Sequence, residues 1–195
     1  QRHAVMAAGE EDRTMSRTEV KIGGFGGQGV ILTGLVLGKA AALYGGLNAT
    51  MIQSFGPEAR GSACSSQLVV SDQEILYPYV RQPDILVTIN QEAYMKFIPE
   101  LAPDGLLIFE EDLVHVDERV GHRRARGIPA TRIAEELGNR IVVNMVMLGF
   151  FSATTCLLSE QAVQEAVRVS VPSGTEELNL EAYGRGVEYG RRRMN

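Results

Sequence analysis

KIGGFGGQGVILTG, residues 21–34, decides the fold of this chain. Gly24, Gly26 and Gly29 make a GxGxxG pattern where a short apolar strand, with Val20 and Ile22, gives way to a long apolar helix from Val30 to Leu43. A strand–glycine–helix turn aims backbone N–H groups and a helix N-terminus at one spot, which suits a phosphate or another anion. Such glycines also have a blander use, letting strand and helix pack closely, and Gly29 holds the close-packing position. A dinucleotide site needs one more part: an Asp or Glu at the end of the second strand, about 20 residues on, to hold the ribose hydroxyls. Here that strand ends in Gln53 and Ser54. The turn stands without its sugar clamp.

Outward from the turn, strand 18–23 leads into helix 29–45, which Gly45 and Gly46 stop. Residues 48–54 form a second strand, followed by a loop built around Gly56 and Pro57. SSQLVVSDQEILYP reads as two short strands around a turn at Ser71 to Gln73. DILVTI, Asp84 to Ile89, is a continuous apolar run of the kind buried on both faces of a parallel sheet. A short amphipathic helix with Ala93, Tyr94, Phe97 and Ile98 on one side follows, then the buried strand GLLIFEE after the turn Pro103 to Gly105. Residues 111–127 read as irregular and charged. PATRIAEELGN is a helix with Pro129 at its start and Gly138 at its end. NMVMLGFFSATTCLL, apolar all round, predicts a helix covered by protein on most sides. Ser159 caps the next helix, with the stripe Ala162, Val163, Ala166 and Val167, and TEELNLEAYGRGVEYGRR makes a terminal amphipathic one. Alternating strands and helices predict a Rossmann-like, doubly wound α/β fold: a mostly parallel sheet with helices on both faces. The domain reading is a polar tail over 1–17 and a single α/β domain over 18–195.

Composition narrows the function classes. The chain has 195 residues, enough to bury a sizeable core, and a net charge of −5 that argues against nucleic acid as a main partner. Basic residues cluster in RVGHRRARG, Arg119 to Gly127, and at Arg191, Arg192 and Arg193. They read first as solvated loop and helix-end charges, and second as a greeting for a polyphosphate or an acidic subunit. Cys64 and Cys156 lie far apart without CxxC spacing, which excludes a disulfide framework or an iron–sulfur cluster held by this chain. His3, His115 and His122 form no ligand-spaced set, so no intrinsic metal is expected. No apolar run reaches the ~18 residues needed to span a membrane. The first residues are polar and lack the apolar core of a signal peptide; they read as a tail, with Met15 an alternative start. Reduced thiols and no export signal point to the cytoplasm.

The loop from Ser54 to Ser66 carries more chemistry than a plain connection needs. Gly56, Pro57, Glu58, Arg60 and Gly61 sit beside small and hydroxylic residues just beyond a strand's carboxyl end, the edge where open α/β sheets bind ligands. Arg60 offers a planar fork for carboxylate or phosphate, or pairs internally with Glu58. There is no GxSxG elbow, no HExxH and no Cys with an evident His partner. A lone Cys64 is more often a packing residue than a nucleophile. The chain reads as a ligand-contributing subunit rather than an enzyme acting alone, with no catalytic residue of its own.

GFGGQGV with ILTGLVLGKAA, then QSFGPEARG, VSDQEI, PDILVTINQEAY, PATRIAEELGN, NMVMLG and SVPSGTEELNLEAYGRG together resemble the gamma subunit of 2-oxoacid:ferredoxin oxidoreductases. The likeness is greatest to the free-standing gamma chain of the 2-oxoglutarate type, with further likeness to the gamma domains of the pyruvate and 2-ketoisovalerate enzymes. It runs in consecutive order from about residue 18 to residue 190. The resemblance implies a complex that converts a 2-oxoacid and coenzyme A to acyl-CoA, carbon dioxide and reduced ferredoxin. Thiamine diphosphate, Mg and iron–sulfur clusters are then held by alpha, beta and, where present, ferredoxin-like delta chains, and none by this one. By the same resemblance, Gly24, Gly26, Gly27, Gln28 and Gly29, with Gly56, Pro57, Glu58, Arg60 and Gly61, help accommodate coenzyme A. The family commonly continues its Arg-Gly with a small residue, then a basic and an acidic one. This chain has Ser62, Ala63, Cys64, Ser65, Ser66 and Gln67, neutral throughout.

A second reading stays open: a stand-alone regulatory protein binding NADP or an adenylate, with Arg60 meeting a 2′-phosphate. Self-association of an isolated chain is also open. The apolar NMVMLGFFSATTCLL segment favours it if part of that surface normally meets a partner.

Overall fold

The computed structural model describes residues 17–55 and 63–194. The strands are β1 (Thr18–Phe25), β2 (Asn48–Ser54), β3 (Ala63–Ser71), β4 (Ile85–Thr88), β5 (Leu106–Glu110) and β6 (Arg124–Ile128). They form one sheet in the order β2-β3-β1-β4-β5-β6. β1, β4, β5 and β6 run parallel, and β3 runs antiparallel to both β1 and β2. The helices are α1 (Val30–Lys39), α2 (Gln91–Phe97), α3 (Ala130–Glu136), α4 (Val143–Thr155), α5 (Glu160–Arg168) and α6 (Glu176–Met194). The doubly wound, mostly parallel α/β fold read from the sequence is the fold found. Among the described residues no helix is long and apolar enough to cross a membrane.

Strand alternation divides the core in two. Val20, Ile22, Ile85, Val87, Leu106 and Ile108 point to one face, where α1 and α3 to α6 complete the larger core. Leu86 and Leu107 point to the other, where Ala93, Tyr94 and Phe97 of α2 meet Ile98, Leu101 and Val114 in the smaller one. Local signals place the helices as expected. The Ser159 side chain accepts from Ala162 N and caps α5. Gly138, at φ +77°, follows the end of α3. The helix after the glycine turn changes character, since beyond Lys39 it continues as a π-helical turn over Ala40–Tyr44.

Three expectations are corrected. The segment after Ser71 forms no second short strand before β4. Polar side chains pin its backbone elsewhere: Arg17 donates to Tyr77 O and Tyr79 O, while the Glu19 carboxylate accepts from Arg81 N at 3.0 Å. Pro78 and Pro83 also lack the N–H that a ladder needs. Conversely, residues 111–127 are not wholly irregular, because β6 begins at Arg124. It is an edge strand whose arginines keep it charged, a usual defence against edge-to-edge pairing, and that charge hides it from a hydrophobicity reading. Finally, the all-apolar α4 is covered by its own chain, with residues 144–153 all buried. α6 lies directly on it, since a Cβ on Gly149 would overlap Tyr183 O and one on Gly186 would overlap Val146 O. Residues 144–153 therefore offer no free apolar face for self-association, while Thr154, Thr155 and Leu157 are partly exposed and Cys156 is exposed.

Candidate functional site

The carboxyl ends of β1 and β4 diverge. From β1 the chain crosses through α1, on the larger-core face, to β2 on one side of the sheet. From β4 it passes into α2, on the opposite face, and on to β5. Ligands of open α/β sheets lie in the crevice that this reversal opens. Here the crevice has two connected parts. An open hollow of about 780 Å³ is walled by Phe25, Gln28, Asn90, Gln91, Met95 and Leu113 among others. A smaller one of about 300 Å³ is bounded by Gly27, Gln28, Ile89, Thr131, Arg140 and Ile141 among others. Gln28 and Leu113 belong to both.

The glycines of the turn separate by task. A Cβ on Gly29 would overlap the Asn144 amide, and one on Gly24 would fall 2.8 Å from Val30 Cγ2 and 2.9 Å from Gln28 Oε1. Gly24 is glycine for packing, and Gly29 for packing and for its φ of +74°. Gly27 is glycine for conformation, at φ +89°. A Cβ on Gly26 would meet nothing within 4 Å, and its φ lies outside the left-handed region, so nothing within the described chain requires glycine there. The turn is locked from both sides: Gln28 Oε1 accepts from Phe25 N at 2.7 Å and from Asn90 Nδ2 at 2.8 Å. Asn90 in turn caps α2, its Oδ1 accepting from Ala93 N at 2.8 Å.

Gly56, Pro57, Glu58, Arg60 and Gly61 lie outside the described residues, but both flanks of their loop are placed at this edge. Ala63 is the Cα partner of Phe25, and its N–H donates to Glu92 Oε1 at 3.1 Å. Phe55, 71% exposed, stands on the other flank. The neutral run after the loop finds local reasons. Ser65 is buried, and Gln67 sits opposite Lys21, whose ammonium is met instead by Glu100 at 2.5 Å and by the Phe97 ring at 4.4 Å. Cys64 packs in the larger core, where burial pushes its thiol up, away from the thiolate that a nucleophile needs.

Asn90, Gln91, Met95, Leu113, Arg140 and Ile141 were not singled out from the sequence. One signal was there for Asn90, an N-capping residue directly after a buried strand. The others reach the crevice from separate loops and helices, which only the topology assembles. Charge at its margins is mixed. Arg140 pairs with Glu135 at 3.2 Å while exposed, and Lys96 Nζ lies 3.5 Å from Ala63 O. Behind the small hollow the buried Glu110 carboxylate accepts from Thr131 N at 3.1 Å and Leu113 N at 2.7 Å, joining the start of α3 to the loop after β5. Burial raises its pKa above the ordinary carboxylate value, against the lowering effect of those two N–H donors. Among the described residues no three His, Cys, Asp or Glu side chains come together as metal ligands.

A glycine turn at the switch point of a mostly parallel sheet, opening on a crevice, defines a Rossmann-like α/β chain with a candidate ligand site. The chain belongs to the pyruvate ferredoxin/flavodoxin oxidoreductase family, whose pattern matches residues 19–189. It is 50% identical over 178 residues to the 2-oxoglutarate synthase subunit KorC of Methanothermobacter thermautotrophicus, covering 88% of this chain and 94% of that one. Identity to the same subunit of Methanocaldococcus jannaschii is 46% over 179 residues, covering 90% and 95%. The gamma subunit of a keto/oxoacid ferredoxin oxidoreductase from Geobacter sulfurreducens superposes with a TM-score of 0.80 at 34% identity, over 90% of this chain and 99% of that one. A 2-oxoglutarate:ferredoxin oxidoreductase of Magnetococcus marinus, solved with 2-oxoglutarate, coenzyme A and succinyl-CoA bound, shares the fold. Its TM-score is 0.81 at 23% identity, and the match covers 91% of this chain and 31% of that one. The resemblance to gamma subunits drawn from the motifs is borne out.

Proposed function

We propose that this chain is the gamma subunit of a thiamine-dependent 2-oxoacid:ferredoxin oxidoreductase of the 2-oxoglutarate type, and that its switch-point crevice accommodates part of coenzyme A. The observation that carries the reading is Gly26, between the crevice residues Phe25 and Gly27, where a Cβ would meet none of the described residues within 4 Å. A glycine kept where none of the described residues requires one fits a backbone approached closely by something from outside. Coenzyme A offers a diphosphate for the N–H groups of the turn and an apolar-amide arm for the wall of Phe25, Met95 and Leu113. Exposed Phe55 and Ile141, 71% and 76% accessible, flank the same edge and suit a protein partner. In this reading the role is binding and assembly. Alpha and beta chains, and a ferredoxin-like delta chain where present, hold thiamine diphosphate, Mg and the clusters that carry the redox chemistry. One sheet spanning β1 to β6 supports a single domain over 18–195 after a tail over 1–17, and two unpaired cysteines are compatible with a cytoplasmic place.

The topology weighs against the stand-alone nucleotide-binding alternative. β3 is inserted between β1 and β2, so the β2 end with Gln53 and Ser54 lies two strand spacings, roughly 10 Å, from β1. A ribose on the glycine turn would find at the end of the neighbouring strand the first described residue of β3, Ala63, and no acid from β2. Gly26→Val is the decisive variant. It should keep its melting temperature, because a side chain there meets none of the described residues, and raise the KM for coenzyme A about tenfold or more in the reconstituted complex, or block assembly. A folded variant with unchanged assembly and coenzyme A dependence overturns the reading, and tight NADP binding by the native chain would install the alternative.

A further inference from the structure

The orientation of two amides in the crevice is fixed by backbone groups that have no choice. Phe25 N can only donate, so the Gln28 atom 2.7 Å from it is the oxygen, Oε1. Ala93 N can only donate, so the Asn90 atom 2.8 Å from it is Oδ1, which leaves Asn90 Nδ2 to donate across the switch point to the same Gln28 Oε1, at 2.8 Å. With Oε1 taken by two donors, the Gln28 Nε2 group is turned outward. Among the described residues it donates to none, and Gln28 lines both parts of the crevice. We infer that Gln28 Nε2 is a pre-aimed hydrogen-bond donor for an acceptor oxygen of the crevice ligand, and that Asn90 is the positioning residue that holds it so. The ligand chemistry is that of a phosphate or amide oxygen, and the assignment to coenzyme A rests on the function proposed above. The arrangement transmits a second condition. Asn90 can aim Gln28 only while it caps α2, so the donor is set when β4 and α2 are joined correctly.

Two substitutions separate this role from a structural one. Gln28→Glu retains an oxygen for both inner donors and replaces the outward donor by an anionic acceptor. Asn90→Ser keeps a good helix cap and adds no charge, but is too short to reach Gln28. In the reconstituted complex Gln28→Glu should raise the KM for coenzyme A, and its equilibrium dissociation constant by calorimetric titration, about tenfold or more. Its melting temperature should hold, and kcat at saturating coenzyme A should change far less. Asn90→Ser should produce a smaller increase, about threefold, and should add little when combined with Gln28→Glu, because it acts through the same donor. A purely structural Gln28 predicts the opposite pattern, harmless Gln28→Glu and additive effects. If Gly26→Val shifts coenzyme A binding and Gln28→Glu does not, the donor is overturned and the crevice stands. If neither shifts it, the functional reading falls and the donor with it. Should Gln28→Glu fail to fold, Asn90→Ser decides: coenzyme A affinity unchanged from the native complex overturns the inference.

Discussion

Gly26 and Gly29 stand three positions apart in one motif and answer to different physics. Gly29 is fixed by its φ of +74° and by the Asn144 amide against it, Gly26 by nothing among the described residues. A GxGxxG pattern in sequence cannot distinguish the two, because packing partners such as Asn144 come from a helix more than a hundred residues away. Gln28 was legible as part of the motif, but its orientation was not, since that depends on Asn90 from another strand end. Glu110 was legible only as the tail of a buried strand, yet it holds two backbone N–H groups in a site closed to water. Gln at 110 keeps one acceptor and sets an NH2 against the other donor, so Glu110→Gln should cost about 1–3 kcal/mol. The pH dependence has a definite sign. Because the folded pKa of Glu110 is raised, its protonated form favours the fold, an advantage present below the unfolded carboxylate value and lost as pH rises through the folded value. Thermal unfolding of both proteins across acidic to neutral pH should therefore show the native chain's lead over Glu110→Gln shrinking as pH rises. A lead that grows with pH would mean that Glu110 is held as a stabilised carboxylate.

At the scale of elements, the sequence showed α6 as an amphipathic helix and gave no reason for its glycines. The structure gives one for some of them. Gly186 lets α6 settle onto Val146 of α4, and Gly149 returns the fit against Tyr183, so the two backbones touch where side chains would normally space them. Gly184, two residues from Gly186, faces open space. Gly186→Ala should therefore destabilise by about 1–3 kcal/mol or more, through overpacking against a backbone that cannot yield. Gly184→Ala should be neutral or stabilise by up to about 1 kcal/mol, through helix propensity alone. Urea unfolding of the two variants checks this, and equal effects would refute the close packing of α4 and α6. The elements that the sequence misplaced have two causes. β6 carries its edge in arginines, and the stretch before β4, apolar enough for a strand, was claimed by Arg17 and Glu19 from sixty residues away. In the second case a distant polar group takes the backbone and outvotes the local pattern; in the first, edge charge masks a strand that forms.

For the whole molecule, the antiparallel β3 matters more than its length suggests. Because it runs against β1 and β2, its first residue sits beside the last residue of β1. The connection that carries Gly56 to Gly61 is thereby anchored at the edge where the glycine turn lies. Strand order is what no stretch of sequence states, and it accounts for how both flanks of that connection, Phe55 and Ala63, come to the edge of a turn about thirty residues earlier.

The division of the interior into unequal halves bears on how the crevice breathes. Its wall of Asn90, Gln91, Met95 and Leu113 belongs to the side where a two-turn helix and short turns cover the sheet with only the smaller core beneath them. The opposite side, with residues 144–153 of α4 all buried, carries most of the apolar contact. Cooperative units with less buried apolar surface open at lower free energy than the global transition. Amide hydrogen exchange should accordingly find α2 and the loop after β5 opening as one unit, well before α4 and α6, which should exchange only with global unfolding. Uniform protection across both faces would contradict this. A molecule wedged between those faces would then bind by quieting the softer one, so that its affinity is drawn partly from motion it suppresses and not only from the contacts it makes.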